Sequence, residues 1–261
     1  MNRINSLFEN KKNEILSIYY TAGYPNLNDT LSIAQSLEQS GADIIEIGMP
    51  FSDPVADGQT IQESSKKALE NGMTIQLLFE QLKTFRTSVN IPVILMGYIN
   101  PIMQYGIEAF CKSCHEVGVD GVIIPDLPLS VYQKEYAAMF DEYNLKNIFL
   151  ITPQTSDDRI RKIDQLSNSF IYMVSSSSTT GEKQGVSTTQ EKYFQRIITM
   201  KLNNPKLIGF GISNHDTFMK ACQYSNGAII GSAFIKMLAN STDLENDIQE
   251  FVMNIKQTAL N

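Results

Sequence analysis

The stretch DIIEIGMPFSDPVADG, residues 43–58, decides how the chain is read. Its first half, Ile44 to Met49, is apolar at every position but Glu46 and Gly48. A strand of a parallel sheet covered on both faces looks like this, whereas a half-exposed strand alternates. Its second half sets Pro50, Pro54 and Gly58 around Asp53 and Asp57, which stops the strand and opens a loop. Seven further runs of the same kind follow the same logic. They are ILSIYY (15–20), PVILMGY (92–98), GVIIPD (121–126), NIFLIT (147–152), FIYMVS (170–175), KLIGFG (206–211) and GAIIGSA (227–233). Between them lie single-face helical stripes, such as Leu31, Ala34 and Leu37, or Ile107, Phe110, Cys111, Cys114 and Val117, or Leu244, Ile248, Phe251, Val252 and Ile255. The first is entered through Asn28 and Asp29 as cap candidates and closed by Gly41.

Strand then helix, eight times over roughly 250 residues, is the arithmetic of a (β/α)8 TIM barrel. An open doubly wound sheet is the alternative, and it needs fewer units. The expected fold is therefore α/β, a (β/α)8 barrel with an extra N-terminal helix and a long loop after the second strand. No Pro/Gly/Ser linker divides the chain, so residues 1–261 are expected to form one domain. The loop beginning at Pro50 falls on the face where such barrels place their chemistry.

The chain's 21 basic and 28 acidic residues leave a net charge of -7, which offers no cationic surface for a nucleic acid or an anionic membrane. The apolar runs are strand-sized, far below the ~18 residues of a membrane span. The N-terminal MNRINSLFENKKNE carries charges where a signal peptide needs an apolar stretch, and three cysteines imply no disulfide framework. A cytoplasmic location is expected. Cys111, Cys114 and His115 spell C-x-x-C-H, yet both cysteines share the apolar stripe of Phe110 and Val117 and should be core residues rather than metal or haem ligands. His215 is expected at a helix start capped by Ser213 or Asn214.

If Ile45 and Ile47 face the helices, Ile44, Glu46 and Gly48 face the barrel interior. A carboxyl group there is pushed up from its usual pKa of about 4.3, toward the range useful for proton transfer. The bland alternative is a buried glutamate held by a neighbouring cation, but KLIGFG is the one run that carries a basic residue, Lys206 at its start. Asp57 follows eleven residues later. Alone it reads as a turn residue; above Glu46 it reads as the second acid of a two-proton mechanism. Three late strand ends bear glycines, at Gly181, at Gly211, and at Gly231 with Ser232. Glycine lets backbone N–H groups approach an anion, and barrels build phosphate sites from these last loops.

The segment IEIGMPFSDPVADGQTIQ resembles the signature of the tryptophan synthase alpha chain, and TAGYP, MGYINPIMQYG, PDLP, GFGIS and GAIIGSA resemble further parts of that family over nearly the whole chain. The resemblance implies a lyase that cleaves indole-3-glycerol phosphate to indole and glyceraldehyde 3-phosphate by a retro-aldol step. It implies Glu46 as the acid/base at the breaking bond and Asp57 as the partner of the ring N–H. Tyr19, Tyr98, Tyr172, Thr180 and Ile212 would line the substrate pocket, and Gly181, Gly211, Gly231 and Ser232 would hold the phosphate. The family also implies a beta chain that carries pyridoxal phosphate and receives indole in an alpha-beta-beta-alpha complex, with Pro50 and Asp53 at positions that touch it. No cofactor is expected on this chain. The sequence departs from the family pattern at Ser178-Thr179-Thr180-Gly181, where Gly-Val-Thr-Gly is usual, and at Tyr24, where some relatives carry aspartate. The alternatives are another phosphate-binding barrel, such as an indoleglycerol-phosphate synthase or phosphosugar isomerase, and a catalytically idle barrel that activates a beta-type partner.

Overall fold

The computed structural model describes residues 2–175, 188–209 and 211–257. Nine parallel strand segments form one sheet: β1 (Ile15–Thr21), β2 (Ile44–Gly48), β3 (Val93–Met96), β4 (Gly121–Ile123), β5 (Lys146–Asn147), β6 (Phe149–Ile151), β7 (Ile171–Val174), β8 (Lys206–Gly209) and β9 (Gly227–Ile230). The hydrogen-bonded order runs β5-β4-β3-β2-β1-β9-β8-β7-β6. Its two ends, β5 and β6, are separated in sequence by Ile148 alone, so the predicted run NIFLIT is one stave interrupted once, and the sheet curls round into a barrel of eight staves. β5 pairs with β4, and β6 pairs with β7.

The strands are shorter than the apolar runs suggest. PVILMGY pairs only from Val93 to Met96, and in GAIIGSA the last two residues, Ser232 and Ala233, open the helix Ser232–Asn240. Burial separates the two faces of each strand. Ile45 and Ile47 pack outward in the shell that includes Leu37, Phe79 and Val93, whereas Ile44 joins Ile15, Ile94, Ile123, Leu207 and Ile229 inside the barrel. The inner layer is closed from below by the N-terminal helix Arg3–Asn10, whose Ile4 and Phe8 belong to the interior cluster, with the Phe8 ring 5.6 Å from that of Phe170. That helix is a floor, and it makes the other end of the barrel the open one.

The helical stripes form where expected, with buried faces Ile33, Ala34 and Leu37; Phe110, Cys111, Cys114 and Val117; and Ile248, Val252 and Ile255. The entry through Asp29 differs, because its carboxylate accepts from Asn26 instead of capping the helix Thr30–Gln39. Gly41 sits at φ +94°, which supports the expected stop. Asn214 and Thr217 form a reciprocal capping box ahead of His215. Cys111 and Cys114 are buried free thiols, and among the described residues no group of three or more histidine, cysteine, aspartate or glutamate side chains could hold a metal ion. Among those residues, too, no helix is long and apolar enough to cross a membrane.

Candidate active site at the open end of the barrel

Glu46 is wholly buried, and parallel pairing sets it beside Tyr19 on β1 and Ile94 on β3. No cation meets it. Lys206 and Lys146 both stand at strand starts, on the floor side, so the described strands supply no counter-charge to it. Lys146 is a basic residue that NIFLIT did not include, since β5 begins one residue earlier than that run. The Ser17 hydroxyl donates to Glu46 Oε1 at 2.7 Å, and Oε2 has no partner among the described residues. Burial pushes the carboxyl pKa up to about 7, with the Ser17 hydrogen bond acting in the opposite direction. A glutamate in that setting both gives and takes a proton near neutrality.

Asp57 lies in the loop between β2 and the helix Gln59–Glu70, where the Gln62 amide donates to its backbone carbonyl at 2.8 Å and Tyr98 holds its carboxylate. The Tyr98 hydroxyl donates to Asp57 Oδ2 at 2.8 Å while accepting from the Ala56 backbone N–H at 2.9 Å. The Tyr98 ring packs on Phe51 of the same loop, with centroids 5.2 Å apart. Burial raises the Asp57 carboxyl above its ordinary range, and the Tyr98 hydrogen bond opposes this rise. The loop therefore shelters Asp57 more than its turn-rich sequence suggested, yet gives it a donor that favours the charged form.

Two tyrosines lie near both acids. Tyr19 and Tyr172 are nearly buried, and burial first, then the nearby carboxylates, drives both phenols well above the ordinary tyrosine range. Both stay neutral donors. Each needs a glycine: a Cβ at Gly48 would collide with the Tyr19 hydroxyl, and one at Gly209 with that of Tyr172. Sequence reasoning set Gly48 inside the barrel without giving it a role, and missed Gly209 and Ser17. A glycine inside a strand is a known sign of a close approach, so Gly48 and Gly209 were findable; a serine in an apolar run carries no such sign.

Ile212 is buried just beyond β8, and Gly211 before it takes φ +78° with open space where a side chain would project. Gly231 is the residue ahead of the helix Ser232–Asn240, and its Cα side faces Tyr19 across about a van der Waals gap, 3.5 Å for a built Cβ. Backbone N–H groups at a helix start suit an anion. Thr180 and Gly181, and the departures at residues 178–179, lie outside the described residues. Pro50 is half-buried and Asp53 exposed, on the outer side of the Asp57 loop, with the Ser52 hydroxyl donating to Asp53 Oδ2 at 2.6 Å.

The structure thus brings Glu46, Asp57, Tyr19, Tyr98 and Tyr172 to one end of the barrel and sets Gly211, Ile212 and Gly231 on the loops after β8 and β9, with Ser232 opening the helix that follows. The family described as tryptophan synthase alpha chain matches residues 6–260. The chain belongs to the tryptophan synthase alpha chain family. The alpha chain of Flavobacterium johnsoniae is 61% identical over 256 residues, covering 98% of this chain and 100% of that one, and the one of Flavobacterium psychrophilum is 60% identical over 255 residues with the same coverage. Among solved structures, the tryptophan synthase subunit alpha of Legionella pneumophila superposes with a TM-score of 0.89 at 31% identity, covering 98% of each chain. A chain of the tryptophan synthase complex of Pyrococcus furiosus does so at 0.85 and 32%, covering 95% of this chain and 99% of that one.

Proposed function

We propose that Glu46 and Asp57 are the two acids of the alpha reaction, which converts indole-3-glycerol phosphate to indole and glyceraldehyde 3-phosphate. The observation that carries this reading is a wholly buried carboxyl group, one oxygen unpartnered among the described residues, with a second, sheltered carboxyl group near the same two neutral tyrosines, Tyr19 and Tyr172. The chemistry needs both. Protonated Glu46 gives its proton to C3 of the indole, and the ring nitrogen takes up the positive charge, which Asp57 stabilises through the ring N–H. The Glu46 carboxylate then takes the proton of the hydroxyl next to the breaking bond. A carbonyl forms, the C–C bond breaks, its electrons restore the aromatic ring, and Glu46 is again protonated.

Tyr19, Tyr98, Tyr172 and Ile212, together with Thr180, would line the ring's pocket. Gly211, Gly231 and Ser232, with Gly181, would hold the phosphate. All these proton transfers use side chains of this chain, so no cofactor is assigned to it; pyridoxal phosphate belongs to a beta chain that receives the indole in an alpha-beta-beta-alpha complex. Pro50 and Asp53 would touch that partner from the loop that carries Asp57, linking its occupancy to the site. Residues 1–261 would act as one domain in the cytoplasm.

Replacing Glu46 with glutamine keeps the shape and removes the exchangeable proton pair. Indole release from indole-3-glycerol phosphate by the Glu46→Gln chain should fall to near the uncatalysed level. Retained release would overturn the assignment, and an idle barrel would show none in either form.

A further inference from the structure

The two oxygens of Glu46 are not equivalent. Ser17 is wholly buried on β1, two residues before Tyr19, which lies in register with Glu46. Its side chain therefore reaches Glu46 from the floor side of the barrel. Among the described residues the Ser17 hydroxyl has a single acceptor, Glu46 Oε1, at 2.7 Å, while Oε2 is buried and unpartnered. We infer that Ser17 is a positioning residue for the alpha reaction: by donating to Oε1 it ties that oxygen to the floor and assigns the transferable proton to Oε2, which faces the substrate.

The argument is one of hydrogen-bond accounting. A protonated carboxyl group has one oxygen that donates and one that only accepts. With the proton on Oε1, one of the two hydroxyl protons on the floor side stays without an acceptor whatever binds above, which costs ~1–3 kcal/mol in general, whereas an O–H on Oε2 finds its acceptor in bound substrate. With the proton on Oε2, Ser17 keeps donating and the acid is aimed away from the floor. The same bond persists when Glu46 is ionised, so the carboxylate does not swing between the two proton transfers. Ser17 also stabilises the charged form, which offsets part of the burial effect. Among the described residues the titratable groups near Glu46 are Tyr19 on β1 and Tyr172 on β7, and the same two phenols also lie near Asp57. The two phenols remain protonated throughout the range of interest, and neither replaces the serine, since neither is hydrogen-bonded to Glu46.

This inference rests on the proposed role of Glu46, and the test separates the two. The pH dependence of kcat for indole release would be measured for the full chain, for Ser17→Ala and Ser17→Thr, and with Glu46→Gln as a reference. In the alanine variant the alkaline limb set by Glu46 should move up by about one pH unit, since a hydrogen bond to a charged group is worth roughly tenfold. kcat at neutral pH should drop about three- to tenfold with KM changed less than about twofold, because the phosphate loops are untouched. Threonine, which keeps the hydroxyl, should return the limb to within a few tenths of a unit. An inactive Glu46→Gln chain with an unmoved limb in Ser17→Ala would overturn the role of Ser17 alone. An active Glu46→Gln chain would overturn both.

Discussion

Tyr98→Phe isolates the support of the second acid. The substitution keeps the ring that packs 5.2 Å from Phe51 and deletes one oxygen, which accepts from Ala56 N–H at 2.9 Å and donates to Asp57 Oδ2 at 2.8 Å. The two losses are unequal. Ala56 is exposed, so water replaces the tyrosine on its N–H at little cost. Asp57 is partly sheltered and charged when it acts, and hydrogen bonds to charged groups contribute about 1.5–3 kcal/mol. Partial access of water to the loop brings this toward the lower end, and we expect about 1–2 kcal/mol in the transition state, a five- to thirty-fold fall in kcat. Loss of the donor also removes what holds the Asp57 carboxyl down, so the fall should be larger at the acid end of the activity range. Stopped-flow detection of indole, with thermal unfolding alongside, checks this. An unchanged kcat, or a fall matched by loss of several degrees in Tm, would refute the view that Tyr98 acts by fixing the Asp57 carboxylate.

Three further outcomes follow from the same interactions. Glu46 is protonated in the folded chain up to about pH 7 but ionises near 4.5 when unfolded, so its burial costs stability that is absent below pH 4.5, grows between these values and is complete above pH 7. Glu46→Gln should therefore gain stability over the parent chain by roughly 3 kcal/mol at pH 8 and lose that advantage toward pH 4.5, as read by urea unfolding across pH; a pH-independent difference would contradict the burial argument. Arg86 binds Asp120 at 2.6 Å and donates to the carbonyls of Val89, Ile91 and Gly118, with Asp120 almost fully buried. Arg86→Met should destabilise the chain by about 3 kcal/mol by leaving that charge to the half-exposed Arg3, without changing the KM of the remaining folded enzyme. Asp53→Ala should weaken mutual activation with a beta chain more than it weakens isolated cleavage, and equal losses in the two assays would count against a partner role for the loop.

The barrel was legible because eight apolar runs cannot be covered on both faces in many other ways, and Glu46 was legible because strand alternation turns it inward once Ile45 and Ile47 are set against the helices. Other features depend on tertiary placement. The break at Ile148 follows from closing the sheet, which no local pattern in NIFLIT announces. An N-terminal helix was expected, and only the assembled barrel shows its Phe8 plugging the floor against Phe170. The Asp57 loop looked like turns; its order comes from Tyr98, some forty residues on, through two hydrogen bonds that sequence spacing cannot foretell. Ser17 was hidden for the same reason, since its partner lies on the next strand.

The most direct test of the two-acid account is a crystal structure of the Glu46→Gln chain with indole-3-glycerol phosphate bound. The account predicts an indole ring lying between position 46 and Asp57, its N–H toward the Asp57 carboxylate and its phosphate on the backbone of Gly211, Gly231 and Ser232. A ring bound elsewhere, or one whose N–H faces away from Asp57 while the phosphate sits at the glycines, would contradict it.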